Sequence, residues 1–274
     1  MSARGRAAYE AMFERLRSRG EGAFVPFVVL GDPDPATSLA LIRTLVRSGA
    51  DALELGLPFS DPVADGPVVQ AASTRALGGG VRIADCWKIV RAVRTEFPET
   101  PMGMLVYSNL VLRHGAADFY RKASDAGADS VLVADAPILE SAPLEEAARD
   151  ARVAPVLIAP PNASDATLSA VASRSEGYVY VVTRPGVTGV DECLRDDSRR
   201  LIATLIELGA APPMLGFGIS KPTHVRAALD MGAAGAISGS AVVSHIPRMA
   251  GQRDQMLETV GHFIREMKEA SKPR

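Results

Sequence analysis

The chain has 274 residues, 47% of them hydrophobic and 23% charged, with a net charge of −2. That is the composition of a soluble globular protein with ample core, and it offers no electrostatic reason to expect a nucleic acid or an anionic membrane as partner. A membrane span is not expected either, because no apolar run approaches the ~18 residues that one requires. The first twenty residues mix Arg with Glu and lack the apolar stretch of a signal peptide. Cys86 and Cys193 lie far apart, without metal-ligand spacing. Reduced thiols in a cytoplasmic protein are the expectation.

Eight strand candidates follow one another, over 24–30, 52–56, 102–107, 130–135, 153–158, 178–183, 214–217 and 235–238. Most are short continuous apolar runs, the pattern of strands covered on both faces. Helical segments lie between them. Asp34-Pro35 reads as an N-cap followed by a first-turn proline, and Leu39, Ile42 and Val46 form an apolar stripe that ends at Gly49. Met256, Val260, Phe263, Ile264 and Met267 make a second stripe near the C-terminus.

One junction recurs. Ser48-Gly49-Ala50-Asp51, Ala126-Gly127-Ala128-Asp129 and Met231-Gly232-Ala233-Ala234 each precede a strand candidate, with a weaker copy at Gly209-Ala210-Ala211. Each reads as a helix ended by a left-handed glycine that turns into a strand. The repeat predicts a parallel α/β fold without linkers. A single domain over 1–274 is expected, an eight-stranded parallel (β/α)8 barrel with an extra N-terminal helix, for which about 250 residues is the usual size. A doubly wound open sheet is the alternative.

In such a barrel the site forms where strands run into the following loops. Glu54 sits at such an end, inside the apolar run Ala52-Leu53-Glu54-Leu55-Gly56. Alternation assigns Ala52, Glu54 and Gly56 to the barrel interior and the two leucines to the helix layer. A buried carboxyl is either satisfied by a buried tyrosine or arginine for structural reasons, or kept because a raised pKa suits it to exchange protons. Asp61 and Asp65 follow in a loop stiffened by Pro58, Pro62 and Pro67. Asp61 alone reads as a solvated loop acid, whereas Asp65 can reach over the barrel mouth. Two carboxyls in different surroundings can hold different protonation roles.

Glycine-rich loops follow the last three strands: Gly186-Val187-Thr188-Gly189, Gly216-Phe217-Gly218-Ile219-Ser220 and Ser238-Gly239-Ser240. Backbone N–H groups in such loops approach anions closely, so a phosphate site is expected there. Phe27, Leu105, Tyr107, Leu132, Tyr180 and Phe217 lie near strand ends and suit a flat aromatic ligand with a phosphate at its other end. Lys88, Lys122, Lys221, Lys268 and Lys272 all fall outside the strands, which disfavours a Schiff base. His114, His224, His245 and His262 lack ligand spacing, so no catalytic metal is expected, and they read as surface or helix residues.

The run from Leu53 through Pro67, Leu-Glu-Leu-Gly-Leu-Pro-Phe-Ser-Asp-Pro-Val-Ala-Asp-Gly-Pro, resembles the signature of the tryptophan synthase alpha chain family. Phe24-Val25-Pro26-Phe27, the three glycine loops and Gly235-Ala236-Ile237 match it in order, so the resemblance covers nearly the whole chain. It implies cleavage of indole-3-glycerol phosphate to indole and glyceraldehyde 3-phosphate. It also implies an alpha2beta2 heterotetramer with the beta chain, which carries pyridoxal phosphate, and no cofactor in this chain. Glu54 matches the family's general acid/base and Asp65 the acid that holds the indole N–H. Gly189, Gly218, Gly239 and Ser240 match the phosphate cradle, Tyr180 the pocket tyrosine, Thr188 the lid loop, and Asp61 a position tied to loop closure and the partner. The acidic run from Val190 to Asp197 departs from the family pattern.

Overall fold

The apolar runs pair side by side, all parallel, and the last closes on the first. The computed structural model describes residues 3–182, 192–248 and 251–273. Its strands are β1 (Ala23–Val29), β2 (Leu53–Gly56), β3 (Met102–Val106), β4 (Ser130–Val133), β5 (Ala154–Ala159), β6 (Val179–Val182), β7 (Pro213–Gly216) and β8 (Gly235–Ser238). Closure leaves no sheet edge and rules out the open doubly wound alternative.

Helices alternate with the strands. The described ones are α1 (Arg6–Arg17), α2 (Pro35–Arg47), α3 (Pro67–Gly78), α4 (Ile83–Glu96), α5 (Ser108–Leu112), α6 (Ala116–Ala126), α7 (Ala142–Asp150), α8 (Asp165–Arg174), α9 (Glu192–Glu207), α10 (Pro222–Asp230), α11 (Ser240–Val243), α12 (His245–Arg248) and α13 (Arg253–Glu269). Asp34 caps α2 as expected, its carboxylate accepting from the N–H groups of Ala36 and Thr37 at 3.0 and 2.9 Å. Gly49, Gly127, Gly209 and Gly232 all hold positive φ, the left-handed exits read from the recurring junction.

Two apolar clusters divide the interior. The larger packs helices against the outside of the barrel and includes Leu53 and Leu55. The smaller fills the lumen, with Ala23, Val25, Ala52, Leu132, Val156, Tyr178, Met214 and Ile237. Tyr9, Met12, Phe13 and Leu16 of α1 belong to that second cluster, so the extra helix stoppers the N-terminal end. Each such buried side chain contributes about 1.5–3 kcal/mol. Arg4 and Arg94 both pair with the fully buried Asp129, which fastens the segment before α1 to the barrel floor. Among the described residues no helix is long and apolar enough to cross a membrane.

Candidate active site

With the floor closed by α1, the open end is the one where strands run into their following loops. β2 carries Glu54 there, and Phe27 of β1 lies beside it in register. Glu54 faces the lumen and is 2% exposed. The Tyr178 hydroxyl donates to Glu54 Oε1 at 2.9 Å. Burial raises the Glu54 carboxyl; the hydrogen bond from Tyr178 opposes that rise and the charge of Asp65 adds to it, leaving the pKa pushed up to about 7. The two sequence alternatives, a structural tyrosine partner and a raised pKa, therefore coexist.

Asp65 stands on the loop between β2 and α3. Tyr107, just past β3, donates its hydroxyl to Asp65 Oδ2 at 2.9 Å and accepts from the Ala64 N–H at 3.1 Å. This short relay pins the loop against the neighbouring strand. Burial raises the Asp65 pKa and the Tyr107 hydrogen bond opposes it.

Glu54 and Asp65 open into one cavity of about 260 Å³. Phe27, Leu105 and Tyr180 wall it near the acids. Phe217, Gly218, Gly239 and Ser240 line its far side. Gly239 and Ser240 begin α11, where backbone N–H groups have no intrahelical acceptor. Phe217 holds φ at +82°, a left-handed conformation that costs a non-glycine residue roughly 1–2 kcal/mol, and Gly218 follows at +75°.

Several expectations need adjustment. Leu132 is buried in the lumen cluster and does not line the cavity. Tyr107 acts on the site through Asp65 rather than as a cavity wall. Gly216 serves packing: a Cβ there would lie 2.3 Å from the Tyr180 ring, so its lack of a side chain makes room for that tyrosine. Asp61 is exposed, with its carboxylate accepting from the Ser60 hydroxyl. Thr188 and Gly189 lie outside the described residues, as do Pro185, Gly186, Val190 and Asp191.

Sequence reasoning missed Tyr178, although Tyr178-Val179-Tyr180 places both rings on one strand face and the signal was available. Ile219 and Ser220, from the glycine-rich loop after β7, and Ile237 of β8 also line the cavity. His224 lies on α10, in keeping with its reading as a surface or helix residue, and its Nδ1 is 3.0 Å from the Gly218 carbonyl and 3.3 Å from the Ser220 nitrogen. Among the described residues no group of three His, Cys, Asp or Glu side chains could hold a metal ion.

A closed (β/α)8 barrel with a protonatable acid at its mouth is an enzyme scaffold built for acid–base chemistry on an enclosed ligand. The family model of the tryptophan synthase alpha chain matches residues 13–272. The tryptophan synthase alpha chain of Shewanella oneidensis is 51% identical over 263 residues, 96% of this chain and 95% of that one. Among solved structures, the tryptophan synthase alpha chain of Legionella pneumophila superposes with a TM-score of 0.88 at 28% identity, covering 98% of this chain and 97% of its own. A chain of the tryptophan synthase complex from Pyrococcus furiosus gives 0.82 at 31% identity, with 90% and 98% covered. This chain belongs to the tryptophan synthase alpha chain family. Its activity is the alpha reaction of tryptophan biosynthesis, the lyase cleavage of indole-3-glycerol phosphate.

Proposed function

We propose that Glu54 is the proton-transfer residue of this cleavage and Asp65 the anchor for the indole nitrogen. The observation that carries this reading is the Glu54 carboxyl, buried, raised to about 7 and opening into the same cavity as Asp65. A carboxyl with that pKa is close to half protonated at neutral pH and serves as acid and base in turn.

The chemistry follows from what the cavity offers. The bonding electrons of the scissile carbon–carbon bond need a sink, and the indole ring supplies one once its C3 is protonated. Glu54 gives its proton to C3, producing an indoleninium cation. The Asp65 carboxylate accepts a hydrogen bond from the ring N–H and stabilises the positive charge gathering there. Glu54, now ionised, removes the proton of the glycerol hydroxyl adjacent to the ring. The C–C bond breaks as the aldehyde forms, and its electron pair returns to the ring as indole. The proton count closes, and Glu54 ends as it began.

Backbone N–H groups of Gly218, Gly239 and Ser240 are proposed to hold the phosphate, with Gly189 the expected fourth member. Anchoring the phosphate fixes the glycerol carbons relative to Glu54, and orientation of this kind lowers the barrier alongside the roughly 10²–10⁴-fold of acid–base catalysis. Pyridoxal phosphate belongs to the beta subunit. We further propose that this chain works with such a partner in an alpha2beta2 assembly, docked at the barrel mouth. Val63, Leu112 and Leu139 are 79%, 58% and 92% exposed on the loops and short helix after β2, β3 and β4. Three large apolar side chains presented to solvent on one rim favour a protein partner there.

Glu54→Gln tests the mechanism, since shape is kept and the proton is not. Indole release should fall by at least about 10²-fold while the substrate still binds. Near-normal turnover would overturn the assignment.

A further inference from the structure

A second cavity, a groove of about 650 Å³, lies outside the lumen on the flank of α3, α4 and α6. That is within the size range of small-molecule sites. Its apolar wall is built from Phe59, Leu77, Trp87, Leu110 and Phe119, with Trp87 and Phe119 in an edge-on contact at 5.6 Å. Its rim is cationic, with Arg82, Arg113, His114 and Lys122. The one acid in the lining, Asp118, is paired with Arg121 and Lys122. Among the described residues no ion pair engages Arg82, Arg113 or His114. An aromatic floor under two guanidinium groups that form no ion pair among the described residues matches one ligand chemistry, a flat apolar body carrying a single carboxylate or phosphate.

The groove also touches the active site through three groups. Phe59 presents one side to the groove and stacks its ring on Tyr107, centroids 5.2 Å apart and 24° between planes. Tyr107 in turn donates to Asp65. We infer that this groove is a binding site for an aromatic anion, and that its occupancy steadies Asp65 through Phe59 and Tyr107 and so raises the rate of cleavage. The coupling rests on the role proposed for Asp65; the binding site does not.

The experiment uses the full chain and 3-phenylpropionate as probe. Trp87 is the only tryptophan in the chain and lines the groove, so its emission reports occupancy without any turnover. The expected result is a saturable emission change that persists at saturating glycerol 3-phosphate. The double variant Arg82→Gln/Arg113→Gln should weaken the probe at least about tenfold and leave cleavage in its absence unchanged. The uncharged amide of the probe should weaken to the same degree. No emission change, displacement by glycerol 3-phosphate, or equal affinity for the amide would each overturn the site. Phe59→Leu should keep the emission change but lose the acceleration of indole release. Acceleration surviving in that variant, or no acceleration of the unaltered chain by a probe that binds, would overturn the coupling while leaving the binding result standing.

Discussion

The Tyr178 hydroxyl reaches across the barrel from the residue just before β6 to Glu54 on β2, two strands on opposite sides of the ring, and donates to Oε1 at 2.9 Å. The contact joins residues 124 apart in sequence. A donor to the carboxylate favours its charged form, so this tyrosine keeps Glu54 from rising further than burial alone would take it.

Removing that donor has a signed consequence. Tyr178→Phe should raise the Glu54 pKa, and the alkaline limb of the cleavage rate should move upward by about one unit, since a hydrogen bond to a charged group is worth roughly 1.5–3 kcal/mol. Loss of orientation should lower the maximal rate as well. The pH profile of the variant decides the matter, and a limb that stays in place or moves down would mean Tyr178 only fills space.

Asp65 carries a different load. Asp65→Asn keeps the shape but removes the charge proposed to face the indole nitrogen, and kcat/KM should drop by about 10²–10³-fold, the scale of one lost transition-state stabiliser. Substitution of its clamp, Tyr107→Phe, should have a smaller effect concentrated in KM, because the charge survives and only its placement loosens. Steady-state kinetics of the two variants side by side would reverse this reading if Tyr107→Phe proved the more damaging.

The barrel was legible because its strands are short apolar runs punctuated by the same Gly-Ala junction, and the structure places a strand at each of the eight. Glu54 was legible for a simple reason: an acid in a continuous apolar run has nowhere to go but inward. The partners of that acid were not. Tyr178 lies four strands away, and nothing local says which interior residue faces which across a lumen. Leu132 shows the opposite failure, since it lies near a strand end and faces inward, yet its side chain packs into the lumen cluster rather than the cavity wall. His224 is a helix residue as expected, on α10, but its contact with the backbone carbonyl of Gly218 was not legible, because side-chain-to-backbone bonds leave no mark in residue type alone.

The proposed docking rim separates two activities. Leu139 is 92% exposed on the segment between β4 and α7, away from the lumen cluster. Leu139→Asp should leave indole release by the isolated chain unchanged. The concentration of beta chain needed to stimulate that release should rise at least about tenfold, the cost of losing an apolar anchor at an interface. A titration with beta chain that is the same for both forms would remove Leu139 from the interface.

The raised pKa of Glu54 also makes a claim about stability. In the unfolded chain a glutamate titrates near 4.3, and in the folded one this carboxyl titrates at about 7. Between those values the folded state holds a proton that the unfolded state has given up, so stability falls as pH rises through this window and levels off above it. The integrated loss from this one group is on the order of 3 kcal/mol, and it reflects the work of keeping a charge in the lumen. Glu54→Gln escapes it, because the amide has no charge to desolvate. The variant should therefore be more stable than the parent chain at pH 8, with the difference shrinking towards zero as pH drops to about 4.5. Urea unfolding at several pH values measures this directly. A variant less stable than the parent at pH 8 would mean that the Tyr178 hydrogen bond outweighs desolvation and that the carboxyl titrates well below neutrality.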